Sequence, residues 1–323
     1  MLFRSTLKLT IDSAVSAAAY SAMAGRNGAV LVSNYETGEI ICMLSSLGFD
    51  PMYPPGANAA EGVYLNKAIS STFAPGSVFK IVTLAAAIEN IRDLSTRTFN
   101  CQGVATIGYE PITCSGVHGD QTIEQAFANS CNVAFARLSV ELGPNILDRY
   151  ANDLGLVSPH SIDGIPTAAG QFNKAEAKSA DLAWSGIGQY HDMVSPYSIL
   201  RLCSAIANDG QAAAGKLISG LSPNVGEPAG IRRILSQSTA NELRGMMNYN
   251  VEYAYGAERF PGLNIYAKTG TAEVSGAYPH AWFAGFIKDS RHPLAFTVVI
   301  ENGGSGLSAA GSVANAVLQA AVA

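Results

Sequence analysis

The sequence is poor in charged residues and has no long apolar run, and each absence narrows its function. Charged residues make up 14% of the 323 positions and apolar residues 48%, which excludes a disordered chain. The net charge is −5 and no run of lysine and arginine marks a nucleic-acid surface. No stretch reaches the roughly 18 apolar residues that span a bilayer. These absences favour a globular protein acting on a neutral or anionic small substrate and argue against nucleic acid as a partner.

The sequence also shows neither a signal peptide at its N-terminus nor a disulfide framework among its cysteines. Met1-Leu2-Phe3-Arg4 lacks the apolar region of a signal peptide. Taken as complete, the chain is expected to be soluble and cytosolic; taken as part of a longer protein, it carries no information on location. Five cysteines are too few for a disulfide scaffold, and their odd count leaves a free thiol if the others pair within the chain.

Strand-like segments at both ends of the chain enclose a middle that is mainly helical. The pattern predicts a helix over 11–23, a hairpin of strands at 29–33 and 39–45, and strands at 263–271, 281–287 and 294–301. Helices are predicted at 123–142, 196–208 and 308–322, and a loop at 211–230. The economical fold is α+β: one antiparallel sheet of about five strands from both chain ends, covered by terminal helices on one face and the helical middle on the other. The sheet part is expected at about 1–60 and 255–323 and the helical part at about 61–254. Two independent domains are the alternative.

A serine and a lysine open the most apolar helix. Ser77 and Lys80 are separated by two residues, so both lie on one helix face, and Ser77 is at the helix start, where free N–H groups favour negative charge. Lys80 is surrounded by apolar residues, and its burial is expected to lower its pKa until the amine can act as a general base. The alternative for this common pattern is an N-cap serine with a lysine that extends to solvent.

Two further short motifs follow in order. Ser130-Cys131-Asn132 begins an apolar helical run, and its two polar side chains suit proton relay and amide binding. Lys268-Thr269-Gly270-Thr271 ends a predicted strand, where glycine admits a ligand close to the backbone and the other side chains supply a cation and hydroxyls. Taken alone, Ser130-Cys131-Asn132 is also compatible with residues that have no role beyond filling a helix interior. Lys268-Thr269-Gly270-Thr271 is also compatible with an ordinary strand end and turn.

Together the three motifs resemble the Ser-x-x-Lys, Ser-x-Asn and Lys-Thr-Gly set of penicillin-binding proteins and serine β-lactamases. Cys131 stands in the middle motif where class A β-lactamases have Asp, which favours penicillin-binding proteins. The chain is similar to the transpeptidase domain of class B penicillin-binding proteins over nearly its whole length, and departs from the usual pattern at Tyr190 and Ser195. Other matching segments are Leu9-Thr10-Ile11-Asp12, Gly28-Ala29-Val30, Thr37-Gly38-Glu39-Ile40, Phe49-Asp50-Pro51, Gly186-Ile187-Gly188-Gln189, Ala207-Asn208-Asp209-Gly210 and Ala281-Trp282-Phe283-Ala284-Gly285-Phe286.

The resemblance implies a peptidoglycan D,D-transpeptidase that needs no cofactor. Ser77 is then the nucleophile toward stem peptides ending in D-Ala-D-Ala and toward β-lactams, and Lys80 its general base. Ser130 and Lys268 return a proton to the leaving group. Asn132, Thr269, Gly270 and Thr271 bind substrate, and the Ser77 and Thr271 N–H groups form the oxyanion hole. A membrane-anchored parent facing the cell wall, with a glycosyltransferase partner, is also implied, and the resemblance leads us to expect that the family's anchor and pedestal region are not part of this sequence.

Cys101, Cys114 and His118 lie close together in the sequence, with Asp120 and Cys131 nearby. Their ligand types suit zinc, although the spacing is not that of a zinc finger. An oxidising outer compartment favours a Cys101–Cys114 disulfide instead, and inert buried thiols are the third alternative.

Three functions compete with transpeptidation. A class A β-lactamase needs a glutamate after the second motif to activate water, whereas Glu110-Pro111 precedes Ser130. A non-catalytic β-lactam sensor uses the same serine, but such domains are usually shorter. A D,D-carboxypeptidase, which transfers the acyl group to water, has the same motifs and stays open.

Overall fold

The computed structural model describes residues 6–56, 58–220 and 230–323 of the chain. Its strands are β1 (Gly28–Asn34), β2 (Ile40–Ser46), β3 (Phe99–Cys101), β4 (Val104–Ile107), β5 (Glu110–Thr113), β6 (Gly119–Gln121), β7 (Ser161–Ile162), β8 (Ile165–Pro166), β9 (Gln211–Ala212), β10 (Arg232–Arg233), β11 (Ile265–Val274), β12 (Ala277–Ile287) and β13 (Leu294–Ile300). The α-helices are α1 (Ser13–Met23), α2 (Lys67–Ser70), α3 (Lys80–Asn90), α4 (Ile123–Ala128), α5 (Asn132–Leu142), α6 (Pro144–Asp153), α7 (Ala180–Ser185), α8 (Pro196–Ala207), α9 (Gln237–Asn250) and α10 (Ser312–Val322).

A five-stranded antiparallel sheet unites the two ends of the chain. Its order is β11-β12-β13-β1-β2, so the N-terminal hairpin joins the C-terminal strands through the pairing of β1 with β13. Because successive side chains of a strand point to opposite faces, Trp282 and Phe283 of β12 enter different cores. The predicted α+β fold, with its antiparallel sheet from both termini, is confirmed. The finer division into a sheet part and a helical part stays a prediction.

The two faces of the sheet are covered differently. Helices α1 and α10 pack on one face, where Val15 and Val317 join Phe283 in one buried cluster. Helix α8 crosses the other face and carries Leu202 into the larger cluster around Trp282. α1 begins at Ser13, two residues after the predicted start, because the Asp12 carboxylate accepts hydrogen bonds from the first N–H groups of the helix.

Two predictions about the middle of the chain were wrong. The single helix predicted over 123–142 is broken into α4 and α5, because Ser130 has a positive φ of 51°. The 99–121 region, predicted as part of the helical middle, forms two small pairings, β3 with β6 and β4 with β5. Its strands have only three or four residues each and half of their side chains are exposed, so they give little periodic signal.

Other predictions are met in part. The loop predicted over 211–230 begins with β9, which pairs with β10, and residues 221–229 lie outside the described residues, as does the Met1-Leu2-Phe3-Arg4 segment. The last helix is preceded by a π-helical turn, Gly306–Gly311. In the described ranges, no helix combines the length and apolar character needed to cross a membrane.

Candidate active site

Ser77 lies in the first turn of a helix that begins as a 3₁₀ helix and continues as an α-helix. A 3₁₀ helix, Gly76–Phe79, runs directly into α3, and the Lys80 N–H donates to the Ser77 carbonyl. Side chains three residues apart eclipse one another in a 3₁₀ helix, so Ser77 and Lys80 share one face. The serine is half-buried at the edge of a cleft, whereas Lys80 is fully buried.

Close backbone packing holds this first turn in place. Gly76 has φ +52°, and a Cβ there would lie 2.5 Å from the Thr271 carbonyl oxygen. Gly188 has φ +81°, and a Cβ there would lie 2.0 Å from the Gly76 carbonyl oxygen. The Gly76 N–H donates to the Gly188 carbonyl at 2.8 Å, and Trp282 Nε1 donates to the Ala74 carbonyl at 3.0 Å. The first turn that carries Ser77 is therefore packed tightly between strand β11 and the 186–189 segment.

The Lys80 amine is surrounded by the second motif. Its Nζ lies 2.5 Å from the Ser130 carbonyl oxygen, 2.8 Å from Asn132 Oδ1 and 3.2 Å from Ser130 Oγ. Asn132 Nδ2 donates to the Thr113 carbonyl at 2.9 Å, which fixes the amide with its oxygen toward the lysine. A neutral amine has two hydrogens; the Ser130 carbonyl and Asn132 Oδ1 accept both and leave the lone pair free for a hydroxyl proton.

Burial decides the charge of Lys80. Loss of hydration lowers the pKa of Lys80 to about 7, and this effect outweighs the opposing influence of Cys114 and Cys131. The nearest aromatic ring, that of Phe135, has its centroid 5.6 Å from Nζ. The sequence-based prediction of a lowered lysine pKa agrees with this direction.

Ser130 is held in a strained conformation between two lysines. Its φ of 51° is rare for a residue with a Cβ and turns the chain sharply between α4 and α5. Lys268 Nζ donates to Ser130 Oγ at 3.1 Å, and Lys80 Nζ lies 3.2 Å from the same oxygen. The Ser130 hydroxyl is therefore within hydrogen-bond reach of both amines.

Lys268 is as deeply buried as Lys80. Its Nζ also contacts the Thr269 carbonyl oxygen at 3.1 Å and lies 5.5 Å from the centre of the Phe127 ring. Burial, and next to it the charge of Lys80, hold the pKa of Lys268 well below its usual value. The two amines and the hydroxyl between them form one hydrogen-bonded unit.

Strand β11 is the edge of the sheet and forms one wall of the cleft. In an antiparallel pair, alternate residues direct their N–H and C=O groups away from the partner strand. Two such residues are capped by side chains: Asn250 Nδ2 donates to the Ala267 carbonyl at 2.9 Å, and the Thr269 N–H donates to Tyr255 Oη at 3.0 Å. Thr271 comes next in the alternation, so its N–H group is directed toward the cleft.

The cleft brings the three motifs together. It has a volume of about 430 Å³, and its lining residues are Ser77, Thr113, Cys114, Ser115, Ser130, Asn132, Trp184, Ile187, Gln189, Thr269, Thr271 and Glu273. Lys80 and Lys268 lie beneath it. Gly270 packs against the Pro75 carbonyl and Trp282, where an added Cβ would approach within 3.0 Å. Sequence reasoning assigned no role to Tyr255, Glu273 or Thr113, because none stands in a recognisable motif.

A larger cavity, of about 760 Å³, lies apart from the motifs. Its lining includes His160, Arg201 and Arg232 but none of the residues of the three motifs. The smaller cleft is the candidate active site, since Ser77 and Ser130 line it and two buried amines with lowered pKa values lie directly beneath it.

The three metal candidates from the sequence do come together, and a fourth residue joins them. Ligand atoms of Cys101, Cys114, His118 and Cys131 all lie within 4.8 Å of one another. All five cysteines are free thiols, so Cys101 and Cys114 are not joined by a disulfide. The two cysteines outside this cluster, Cys42 and Cys203, are buried in the core.

Comparison with known proteins agrees with this geometry. The family model described as the penicillin-binding protein transpeptidase domain matches residues 28–321. The peptidoglycan D,D-transpeptidase PbpA of Mycobacterium tuberculosis is 30% identical, over 91% of this chain and 67% of its own. Stage V sporulation protein D of Bacillus subtilis is 28% identical, over 95% of this chain and 51% of its own.

Solved structures show the same fold. The ceftriaxone acyl-enzyme complex of penicillin-binding protein A from M. tuberculosis superposes with a TM-score of 0.87 at 26% identity, covering 98% of this chain and 80% of that one. The D,D-transpeptidase domain of a peptidoglycan glycosyltransferase from Eggerthella lenta gives a TM-score of 0.86, also at 26% identity, covering 98% and 82%.

Proposed function

Because this chain belongs to the penicillin-binding protein transpeptidase family, we propose that it is a D,D-transpeptidase that cross-links peptidoglycan stem peptides through an acyl-enzyme on Ser77. The observation that carries the proposal is the environment of Lys80. Its amine is buried, has a pKa lowered to about 7, and has two acceptors that occupy its hydrogens. Such an amine is a base positioned one helical turn from a hydroxyl.

In the acylation step, Lys80 Nζ takes the hydroxyl proton of Ser77 as Ser77 Oγ attacks the carbonyl of the penultimate D-Ala. The developing oxyanion lies between the N–H groups of Ser77, in the first turn of its helix, and Thr271, on the open edge of β11. Collapse of the tetrahedral intermediate breaks the amide bond and releases the terminal D-Ala once its nitrogen gains a proton.

Ser130 is the donor that delivers this proton. Its hydroxyl contacts both amines, at 3.2 Å from Lys80 and 3.1 Å from Lys268. A proton given to the leaving nitrogen can therefore be replaced from Lys80, which acquired one in the attack. In the second half-reaction the amine of a neighbouring stem peptide attacks the ester, and the same unit works in reverse.

The substrate carboxylate is proposed to bind at Thr269 and Thr271, beside Lys268. Tyr255 sets the direction of the first of these hydroxyls. Its Oη accepts from the Thr269 N–H and lies 3.2 Å from Thr269 Oγ1. Burial raises the pKa of Tyr255 to about 12, so the phenol keeps its proton, and we propose that it is the donor in the hydrogen bond with Oγ1. The Thr269 hydroxyl proton is then free for an anion in the cleft, and Asn132 has one amide hydrogen left for a substrate carbonyl.

We expect Tyr255→Phe to lower the second-order acylation rate constant for benzylpenicillin about tenfold, since it removes the hydrogen bonds to Thr269 and leaves the Thr269 N–H unpaired, a loss of roughly 1–3 kcal/mol. Stopped-flow measurement of acylation checks this, and Tyr253→Phe, at an exposed tyrosine on the same π-helical turn, is the matched control. Unchanged acylation in Tyr255→Phe would remove Tyr255 from the site.

The proposed activity also implies a cellular location and a partner. Peptidoglycan lies outside the cytoplasm, so we infer an extracytoplasmic location at the cell membrane and a glycan-polymerising glycosyltransferase as partner. Transpeptidases of this family act without a cofactor. A metal at Cys101, Cys114 and His118 would accordingly be structural.

Turnover of a peptide ending in D-Ala-D-Ala, with and without an amine acceptor, tests the proposal. A transpeptidase forms an amide product whose yield rises with the amine concentration. If hydrolysis is the reaction observed and its yield does not change when an amine is added, the protein is a D,D-carboxypeptidase. Fast destruction of benzylpenicillin would identify a β-lactamase, although Glu110 lies on β5 outside the described lining of the cleft.

A further inference from the structure

We propose that Cys101, Cys114, His118 and Cys131 bind one Zn²⁺ ion in a closed tetrahedral site that holds the wall of the cleft behind Asn132. Cys114 Sγ lies 3.9 Å from Cys131 Sγ and 3.6 Å from His118 Nδ1. Zinc bonds of about 2.3 Å to sulfur and 2.0–2.1 Å to nitrogen require S–S edges of about 3.8 Å and S–N edges of about 3.6 Å. The two measured edges match these values, and all four ligand atoms lie within 4.8 Å of one another, close enough for a single ion.

The donor set also identifies the kind of metal. Three thiols and one imidazole suit Zn²⁺ over the hard cations Ca²⁺ and Mg²⁺, and four protein ligands leave no open position for water or substrate. A single disulfide would use two of the three sulfurs and leave the third and the imidazole unused. Cys101 and Cys131 are buried, whereas Cys114 and His118 are partly exposed, which gives the ion a path of entry.

The segment that carries three of the ligands has little core of its own. Between residues 101 and 118 only Cys101, Ala105 and Ile112 are buried. The segment is held by short pairings, such as the Cys114 N–H donating to the Gly103 carbonyl at 2.9 Å. A metal ion stabilises such a segment where apolar burial cannot.

The fourth ligand ties this segment to the catalytic residues. Cys131 is the N-cap of α5 and lies between Ser130 and Asn132. The Asn132 N–H donates to Cys114 Sγ at 3.2 Å and the Ala134 N–H to Cys131 Sγ at 3.4 Å, contacts that favour thiolates. Asn132 Nδ2 reaches the Thr113 carbonyl, next to Cys114. The ion would thereby fix the amide that accepts from Lys80, so this inference rests in part on the proposed function.

Metal content of the purified chain, prepared with a reductant and without chelator, tests the site directly. We expect about one equivalent of zinc by elemental analysis, and a cobalt-substituted protein with the thiolate charge-transfer and tetrahedral ligand-field absorption of a Cys₃His centre. Cys131→Ser retains an N-cap oxygen but removes a ligand, and His118→Gln removes the imidazole; both should lose stoichiometric zinc. Cys42→Ala and His191→Gln are the matched controls outside the cluster and should keep it.

Removal of the ion should lower the midpoint temperature of unfolding and reduce benzylpenicillin acylation about tenfold or more, as loss of outer-shell support does at other metal sites. Zinc content is also measured in Ser77→Ala, which cannot be acylated but should bind a full equivalent. Absence of zinc binding in the native chain, or a Cys114–Cys131 disulfide in the reduced preparation, would overturn the metal site and leave the acylation chemistry standing.

Discussion

Replacing Ser77 by alanine is expected to abolish covalent labelling by benzylpenicillin, because the acyl-enzyme ester cannot form without Oγ. Loss of the nucleophile in a serine acyltransferase costs on the order of 10⁶ in rate. Intact-protein mass spectrometry should show one adduct of the mass of benzylpenicillin on the native chain and none on the variant. The unfolding temperature should be nearly unchanged, since Ser77 is at the cleft edge and its side chain is half-buried.

Ser115→Ala is the control for this experiment. Ser115 lines the same cleft and is exposed, but the proposed mechanism gives it no role. The Ser115→Ala variant should be acylated by benzylpenicillin at the native rate. A benzylpenicillin adduct on Ser77→Ala, or loss of the adduct from Ser115→Ala, would show that Ser77 is not the nucleophile. Either result would remove the basis of the proposed function.

Replacing Lys80 has the second large effect. Lys80→Met fills a similar volume without a base, and we expect acylation to fall by about 10²–10⁴, the range of general base catalysis. Lys80→Arg keeps a positive charge, because arginine does not lose its proton in proteins. This variant should be acylated as slowly as Lys80→Met. A Lys80→Arg variant that acylates at a near-native rate would show that the charge of residue 80 is needed and its basicity is not.

The native enzyme should show the same base in its pH dependence. The pKa of Lys80 is lowered from 10.5 to about 7, so the neutral amine is populated above pH 7 and the acylation rate should rise through that value and then level off. The unfolded chain keeps this proton up to about pH 10.4, so stability should also rise between pH 7 and 10. Stopped-flow acylation from pH 5 to 9 measures the first effect, and a flat profile would contradict the base assignment.

The sheet could be predicted from sequence because both of its faces are buried. Strands β12 and β13 are apolar along most of their length, and the predicted ranges 281–287 and 294–301 lie within or next to them. Helix α1 was predictable for a different reason, since Asp12 caps it locally and needs no tertiary partner.

The parts that could not be predicted depend on contacts distant in sequence. The break at Ser130 results from one left-handed residue inside a continuous helical pattern, and its strain is stabilised by Lys80 and Lys268 from other elements. The three motifs named the residues of the site but not their arrangement around one hydroxyl. Tyr255 lies fourteen positions before Thr269 with no motif to mark it, so only the fold reveals that contact.

The capped edge of β11 has a consequence for association between chains. An exposed edge strand is a template on which another protein's strand can add and begin aggregation. Asn250 and Tyr255 occupy the groups that Ala267 and Thr269 would offer, and a bulge between Ala272 and Val274 interrupts the pairing beyond. At Thr271 the carbonyl accepts from Gln189 Nε2 at 3.4 Å, and the N–H faces the cleft. This edge can thus pair with a single residue of a ligand backbone, but it is too short for a full strand of another chain to add to it.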